Sequence, residues 1–190
     1  SIIFAFKAAP METVQVHDKH FALKISEATI QARVSDLAAT IDRDYEGRSL
    51  LLLAVLNGAF VFAADLIRAL RTPSEIEFVR ISSYGDAMQS SGKAQMSLSE
   101  HLQVKGRDVL VVEDIVDSGF TTRFFMSQLQ AQGPASVALA TLLFKPDNFQ
   151  AETPPQYIGF DIPPDFVVGY GMDYAQQGRN LRGIYTLAPA

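Results

Sequence analysis

The sequence predicts an α/β protein: a central, mostly parallel twisted sheet flanked by helices, with a small hood contributed by the C-terminal and N-terminal ends. Three observations predict it. Apolar runs of strand length recur at residues 49–56, 108–113 and 136–144. Stretches with helical spacing of apolar residues stand before and between them, at 26–45, 59–70 and 121–132. Runs apolar on both faces belong to strands covered on both sides, and a strand-helix-strand order requires parallel pairing.

Each element has its own justification. Residues 1–10 read as an added leader ahead of a native start at Met11, since they lack the charged start and cleavage pattern of a signal peptide. Residues 11–190 then form one domain. Over 26–45, Ile30, Val34, Leu37, Ala38 and Ile41 fall on one stripe, and Ser26 is a suitable N-cap. The run 49–56 is followed by the turn pair Asn57-Gly58 and a second helical stretch over 59–70. Residues 76–83 alternate as a strand. Residues 84–95 change to Gly, Ser, Gln, Asp and Met, with little to pack, and read as a mobile loop. After Lys145 the pattern breaks into short strands between prolines, so 146–190 should supply most of the hood.

Composition narrows the function classes. With 48% hydrophobic and 19% charged residues over 190, the chain suits one globular domain. It has no cysteine, which excludes disulfides, a thiolate zinc site and a cysteine nucleophile, and suits a reducing compartment such as the cytoplasm. A net charge of −5 argues against a nucleic-acid partner, which usually meets a basic face. The longest apolar run, 50–56, is too short to cross a bilayer, so no membrane role is expected. The three histidines, His17, His20 and His101, lack metal-ligand spacing.

The sharpest chemical signal is Val111-Val112-Glu113-Asp114-Ile115-Val116-Asp117-Ser118-Gly119-Phe120-Thr121-Thr122. An apolar strand ends in two carboxylates; a third follows, then Ser-Gly and two threonines that open a helix. In open parallel sheets, ligands sit beyond the carboxyl ends of the strands. Gly119 permits a tight turn and close backbone approach. Ser118, Thr121 and Thr122 offer hydroxyls, and the helix start offers free N–H groups, an anion cradle suited to a monophosphate. Glu113 and Asp114 can accept from a ribose diol or hold Mg²⁺ through water. Three crowded carboxylates repel one another and need an outside cation or donor set. The Gly-x-Gly-x-x-Gly and Walker A patterns are both absent.

This stretch resembles the 5-phosphoribosyl 1-pyrophosphate signature of the type I phosphoribosyltransferase family, and the resemblance continues from about His20 onward, toward the hypoxanthine-guanine branch. It implies that Asp117 exchanges the N7 proton of a purine, that Ser118, Gly119, Phe120, Thr121 and Thr122 bind the 5′-phosphate, and that Glu113 and Asp114 bind the ribose hydroxyls. Lys145 would donate to a 6-oxo group, which disfavours adenine because its 6-amino group is itself a donor. In the second match, Phe166-Val167-Val168-Gly169-Tyr170-Gly171-Met172-Asp173-Tyr174, the resemblance has Phe166 stack on the base, Val167 pair with its edge through the backbone, and Asp173 help hold a Mg²⁺ bound to pyrophosphate. Asn57, Gly58 and Arg179 would contact pyrophosphate, with a non-proline cis peptide at the Asn57-Gly58 loop, and Ser83-Tyr84 would lead a closing lid.

Two departures stand out. Asn57 and Phe120 occupy places where relatives often carry lysine, and each removes a cation beside a phosphate. The resemblance further implies a homodimer or homotetramer acting on 5-phosphoribosyl 1-pyrophosphate and hypoxanthine or guanine, with Mg²⁺. A xanthine-preferring enzyme, or a nucleotide-sensing regulator on the same fold, is the alternative; the regulator would need a basic face and a degraded catalytic set.

Overall fold

A computed structural model describes residues 12–82, 95–97 and 102–189. The chain opens with a hairpin, β1 (Thr13–Val16) and β2 (Lys19–Ile25), which leads into helix α1 (Glu27–Asp44). The order continues β3 (Leu50–Val55), α2 (Phe60–Ala69), β4 (Ser74–Ser82), β5 (Gln95–Ser97), β6 (Asp108–Val116), α3 (Phe120–Gln130) and β7 (Ser136–Phe144). A short 3₁₀ turn (Pro146–Asn148) then precedes β8 (Tyr157–Asp161), β9 (Val167–Val168) and β10 (Ile184–Leu187).

Six strands form the main sheet in the order β5-β4-β3-β6-β7-β8. All neighbours are parallel except β5, which runs antiparallel on β4. Strand alternation explains the unbroken apolar runs. Leu50, Leu52, Ala54, Leu110 and Val112 face α1 and α2, packing with Ile30, Val34, Leu37 and Ile41. Leu51, Leu53, Val109 and Val111 face the other way, onto Phe125 and Leu129 of α3. Each strand is therefore hydrophobic on both faces because each face has a helix to cover.

The α1 stripe is buried as its spacing predicts, and Ser26 caps the helix, its Oγ accepting from the Thr29 amide at 3.2 Å. The strand predicted over 108–113 runs three residues further, to Val116. Glu113 and Asp114 therefore lie inside a strand rather than past its end, because β7 continues to pair alongside through Phe144.

A second, antiparallel sheet in the order β1-β2-β10-β9 forms the hood. It draws equally on both ends of the chain, and its two N-terminal strands gave no clear alternation to read in sequence. Residues 157–161, from the proline-rich C-terminal stretch, join the edge of the main sheet instead, as β8. Four tyrosines bond to carboxylates on distant segments: Tyr157 donates to Asp44 at 2.6 Å, Tyr174 to Asp18 at 2.8 Å, Tyr185 to Glu12 at 2.5 Å, and Tyr170 to Asp65. The Asp18 and Glu12 bonds lie within the hood; the Asp65 bond ties the turn after β9 to α2. Among the described residues, no helix is long and apolar enough to cross a membrane.

Candidate active site

The chemistry-bearing residues converge at the carboxyl ends of β3, β6 and β7. Alternation along β6 sends its adjacent carboxylates to different neighbours. Glu113 turns toward the start of α3, into a cavity of about 220 Å³ lined also by Val55, Ile81, Ile115, Asp117, Ser118, Thr121 and Thr122. Asp114 turns toward the start of α2, where it meets the Asn57-Gly58 turn.

The cavity has the makings of an anion site on one wall. α3 starts at Phe120 with Gly119 at its N-cap in a left-handed conformation, φ +84°, and without any side-chain cap. No acidic residue occupies its first turn. The first N–H groups of the helix thus keep their partial positive charge for an outside acceptor. A Cβ at position 119 would lie 2.4 Å from the Phe149 ring, so glycine is required here by a packed side chain as well as by φ. The space beside Gly119 is divided: Phe149 fills one side, and the polar cavity occupies the other.

Asp117 stands at the rim of the cavity with two donors on its carboxylate. Lys145 Nζ donates to Oδ2 at 3.1 Å and Asn148 Nδ2 to Oδ1 at 2.8 Å. The backbone explains the meeting, since the Lys145 amide donates to the Val116 carbonyl at 3.0 Å, extending the β6–β7 ladder to its last rung. Burial pushes the Asp117 carboxyl up, but hydrogen bonds from Asn148 and Lys145, with the lysine's charge, more than offset it and hold it below the usual range. Glu113 behaves oppositely. Burial, then the neighbouring Asp114 charge, pushes it well above the usual carboxylate value. Burial also raises Asp114, opposed by backbone N–H donors and the Arg179 charge, and reinforced by Asp173.

A second wall, on the Asp114 face of the sheet and outside the lining of that cavity, comes from the turn after β9. Arg179 bonds the Gly171 carbonyl at 2.9 Å and pairs with Asp173 at 3.3 Å. Gly171, at φ +95°, approaches so closely that a Cβ there would lie 2.6 Å from the Gly58 carbonyl. Asp114, Gly58, Gly171, Arg179 and Asp173 thus form one continuous group. The Leu56–Asn57 peptide within this wall is cis. Among the described residues, no set of three or more His, Asp or Glu side chains is gathered into a metal cage.

Other predicted residues sit further out. Phe166 is 47% exposed on the hood, edge-on to Tyr174 at 5.8 Å between ring centroids, and Val167 pairs with Thr186. Phe120 is equally exposed and does not line the cavity. Ser83, Tyr84 and most of the segment 84–95 lie outside the described residues. Conversely, Ile115, Val55, Asn148 and Phe149 reach the site without having been singled out. The first two read as ordinary strand residues, and the last two follow a proline in what looks like plain loop.

Residues 25–175 match the phosphoribosyl transferase domain model. A hypoxanthine-guanine phosphoribosyltransferase of Mycobacterium bovis is 45% identical over 166 residues, covering 84% of this chain and 82% of that protein. A hypoxanthine phosphoribosyltransferase of Haemophilus influenzae is 41% identical over 165 residues, covering 85% and 92%. The crystal structure of a hypoxanthine-guanine phosphoribosyltransferase from Bacillus anthracis, with a HEPES molecule in its active site, superposes with a TM-score of 0.83 at 40% identity, covering 87% of this chain and 98% of that one. With its parallel sheet, its paired Asp117 and Lys145, and these relatives, the chain belongs to the type I phosphoribosyltransferase family, on its hypoxanthine-guanine branch.

Proposed function

We propose that this chain transfers the 5-phosphoribosyl group of 5-phosphoribosyl 1-pyrophosphate to N9 of hypoxanthine or guanine, giving the nucleoside monophosphate and pyrophosphate. The observation that carries the reading is the placement of Asp117. It is an ionised carboxylate held by Lys145 and Asn148 at the rim of an anion cradle, one residue before Ser118.

In this reading the 5′-phosphate lies against the N-terminus of α3, taking hydroxyls from Ser118, Thr121 and Thr122 and backbone N–H groups from the turn. Glu113 accepts from the ribose diol at the neck of the cavity. The base rests above Ile115 with Phe166 closing over it. Val167 offers its backbone to the base edge, and Lys145 donates to the 6-oxo group. Pyrophosphate lies along Asn57, Gly58 and Arg179, and Ser83 with Tyr84 leads a lid that keeps water from the sugar.

The bond from the sugar C1 to the pyrophosphate oxygen breaks as the bond from C1 to N9 forms. The leaving oxygen takes the electron pair of the broken bond, and the N7 proton passes to Asp117. Little covalent work falls to the protein, so catalysis rests on positioning and charge stabilisation.

Mg²⁺ fits the acidic wall. It binds through one or two carboxylates plus substrate phosphates and needs no protein cage. Asp114 feels the charges of both Asp173 and Arg179, and the two carboxylates outnumber the one guanidinium, which leaves negative charge for a divalent ion; Glu113 is the third candidate ligand. Bound there, the ion would neutralise charge developing on the departing pyrophosphate. A homodimer or homotetramer is the working unit in this reading, which light scattering would resolve.

The test is pyrophosphate release with Mg²⁺ and 5-phosphoribosyl 1-pyrophosphate, offering hypoxanthine, guanine, xanthine, adenine and uracil separately. Turnover with hypoxanthine or guanine is expected. Activity with adenine or uracil alone, or with none of the five, would refute the reading.

A further inference from the structure

We propose that Asn148 is the positioning residue of Asp117, fixing the plane of that carboxylate while Lys145 turns to the base. The inference rests on the proton-transfer role given to Asp117 above, and names a residue that neither the motif nor the charge pattern singled out.

The two donors on Asp117 have different tasks. In the free protein the Asp117 carboxylate is shared between Lys145 on Oδ2 and Asn148 on Oδ1. Lys145 is the more enclosed partner, its side chain 11% exposed against 50% for Asp117. A lysine that donates to a 6-oxo group must give up or loosen its grip on Asp117 as the base arrives, and Oδ2 is the oxygen it frees. Asn148 carries no charge and has no second task. It can keep Oδ1 occupied throughout, which leaves Oδ2 facing the incoming N7 proton.

The backbone around Asn148 is built to hold such a position. Pro146 starts the 3₁₀ turn with its φ already restricted, and the Asn148 amide closes that turn onto the Lys145 carbonyl at 3.2 Å. The turn is fastened to the Asp117 segment at both ends. The Lys145 amide donates to Val116 and the Gln150 amide to Ser118, each at 3.0 Å. Phe149 packs into the space left by the missing Cβ of Gly119, edge-on to Phe144 at 5.1 Å. The strip 145–150 is thus clamped to 116–119 on both sides of Asp117. A short side chain on a clamped turn loses little rotamer freedom in making its bond, whereas a lysine reaching the same carboxylate has four carbons to order.

The experiment is a double-mutant cycle on kcat, with KM followed for both substrates. Asn148→Ala should lower kcat about tenfold, with each KM within about twofold of wild type, since the loss is confined to the transition state. Asn148→Asp keeps the shape of the side chain but swaps a donor for an acceptor beside a carboxylate, so kcat should fall further. Neither change should lower kcat again in an Asp117→Asn background, because both residues act through one proton. A merely structural role would instead give additive losses. Wild-type kcat in Asn148→Asp, or full additivity with Asp117→Asn, would overturn the inference while leaving the transferase reading intact. If Asp117→Asn itself kept full turnover, the reading beneath it would fall first.

Discussion

Gly58 and Asp114 are so closely apposed that a Cβ on the glycine would lie 1.9 Å from the Asp114 Oδ2 and 2.7 Å from its Cγ. No rotation of a methyl group relieves such an overlap. Asp114 itself must move, although its backbone is held within β6, close to the carboxyl end of the strand. Gly58→Ala should therefore leave the fold intact, destabilised by about 1–3 kcal/mol, and raise the KM for 5-phosphoribosyl 1-pyrophosphate at least tenfold. Steady-state kinetics beside a urea melt separates the two effects.

Asp117→Asn keeps the volume of the side chain and removes its capacity to take a proton. The expected loss is about 10²–10³-fold in kcat, with the KM for 5-phosphoribosyl 1-pyrophosphate nearly unchanged because the phosphate cradle is untouched. An initial-rate comparison at saturating base decides it.

Glu113 is buried with its carboxyl pushed well above its ordinary value of 4.5, by burial first and by Asp114 second. An acid whose folded pKa is raised binds more protons folded than unfolded, so stability falls as pH rises from about 4.5 through that raised value. At neutral pH the free protein is carrying this cost, and Glu113→Gln relieves it. In metal-free buffer the variant should melt above wild type at pH 7 and show little advantage below pH 4.5, while binding the sugar phosphate more weakly. An equal shift at both pH values would contradict the burial argument.

Asp42 shows the opposite sign. Burial raises its carboxyl, but bonds from the amide and hydroxyl of Thr72 and from the Arg71 amide, with the Arg71 charge, outweigh it and leave the value lowered. The four contacts run from 2.7 to 3.1 Å and close the turn between α2 and β4 onto α1. A lowered folded value contributes stability above the ordinary 3.8 that is lost as pH falls through and below it. Asp42→Ala should cost about 1 kcal/mol at pH 7, and less as the pH is lowered through that range, with activity per folded molecule unchanged. Urea melts at several pH values would show it.

Periodicity carried most of the main sheet. Leu50–Val55 is apolar at every position and Ser136–Phe144 at all but Ser136 and Thr141, because both faces are covered, and such runs are visible without partners. The stripe of α1 and its Ser26 cap were equally local, since both depend on residues within one or two turns of each other. The run from Glu113 to Thr122 could be read as a phosphate cradle because its carboxylates, small residues and helix start are contiguous.

Tertiary structure decided what contiguity could not express. That Glu113 and Asp114 serve different walls follows from strand alternation between two distinct neighbours, α3 and α2. The clamping of Asp117 by Asn148 follows from parallel pairing of β6 with β7, which sets residue 117 beside 145 and brings the next turn over it. The hood combines the first and last strands of the domain, and Thr186 pairs with Ala22 across the sheet. Short half-exposed strands carry little hydrophobic signal of their own, and the β2–β10 seam joins segments more than a hundred residues apart. Local chemistry therefore announced which atoms are available, and chain topology determined which of them meet.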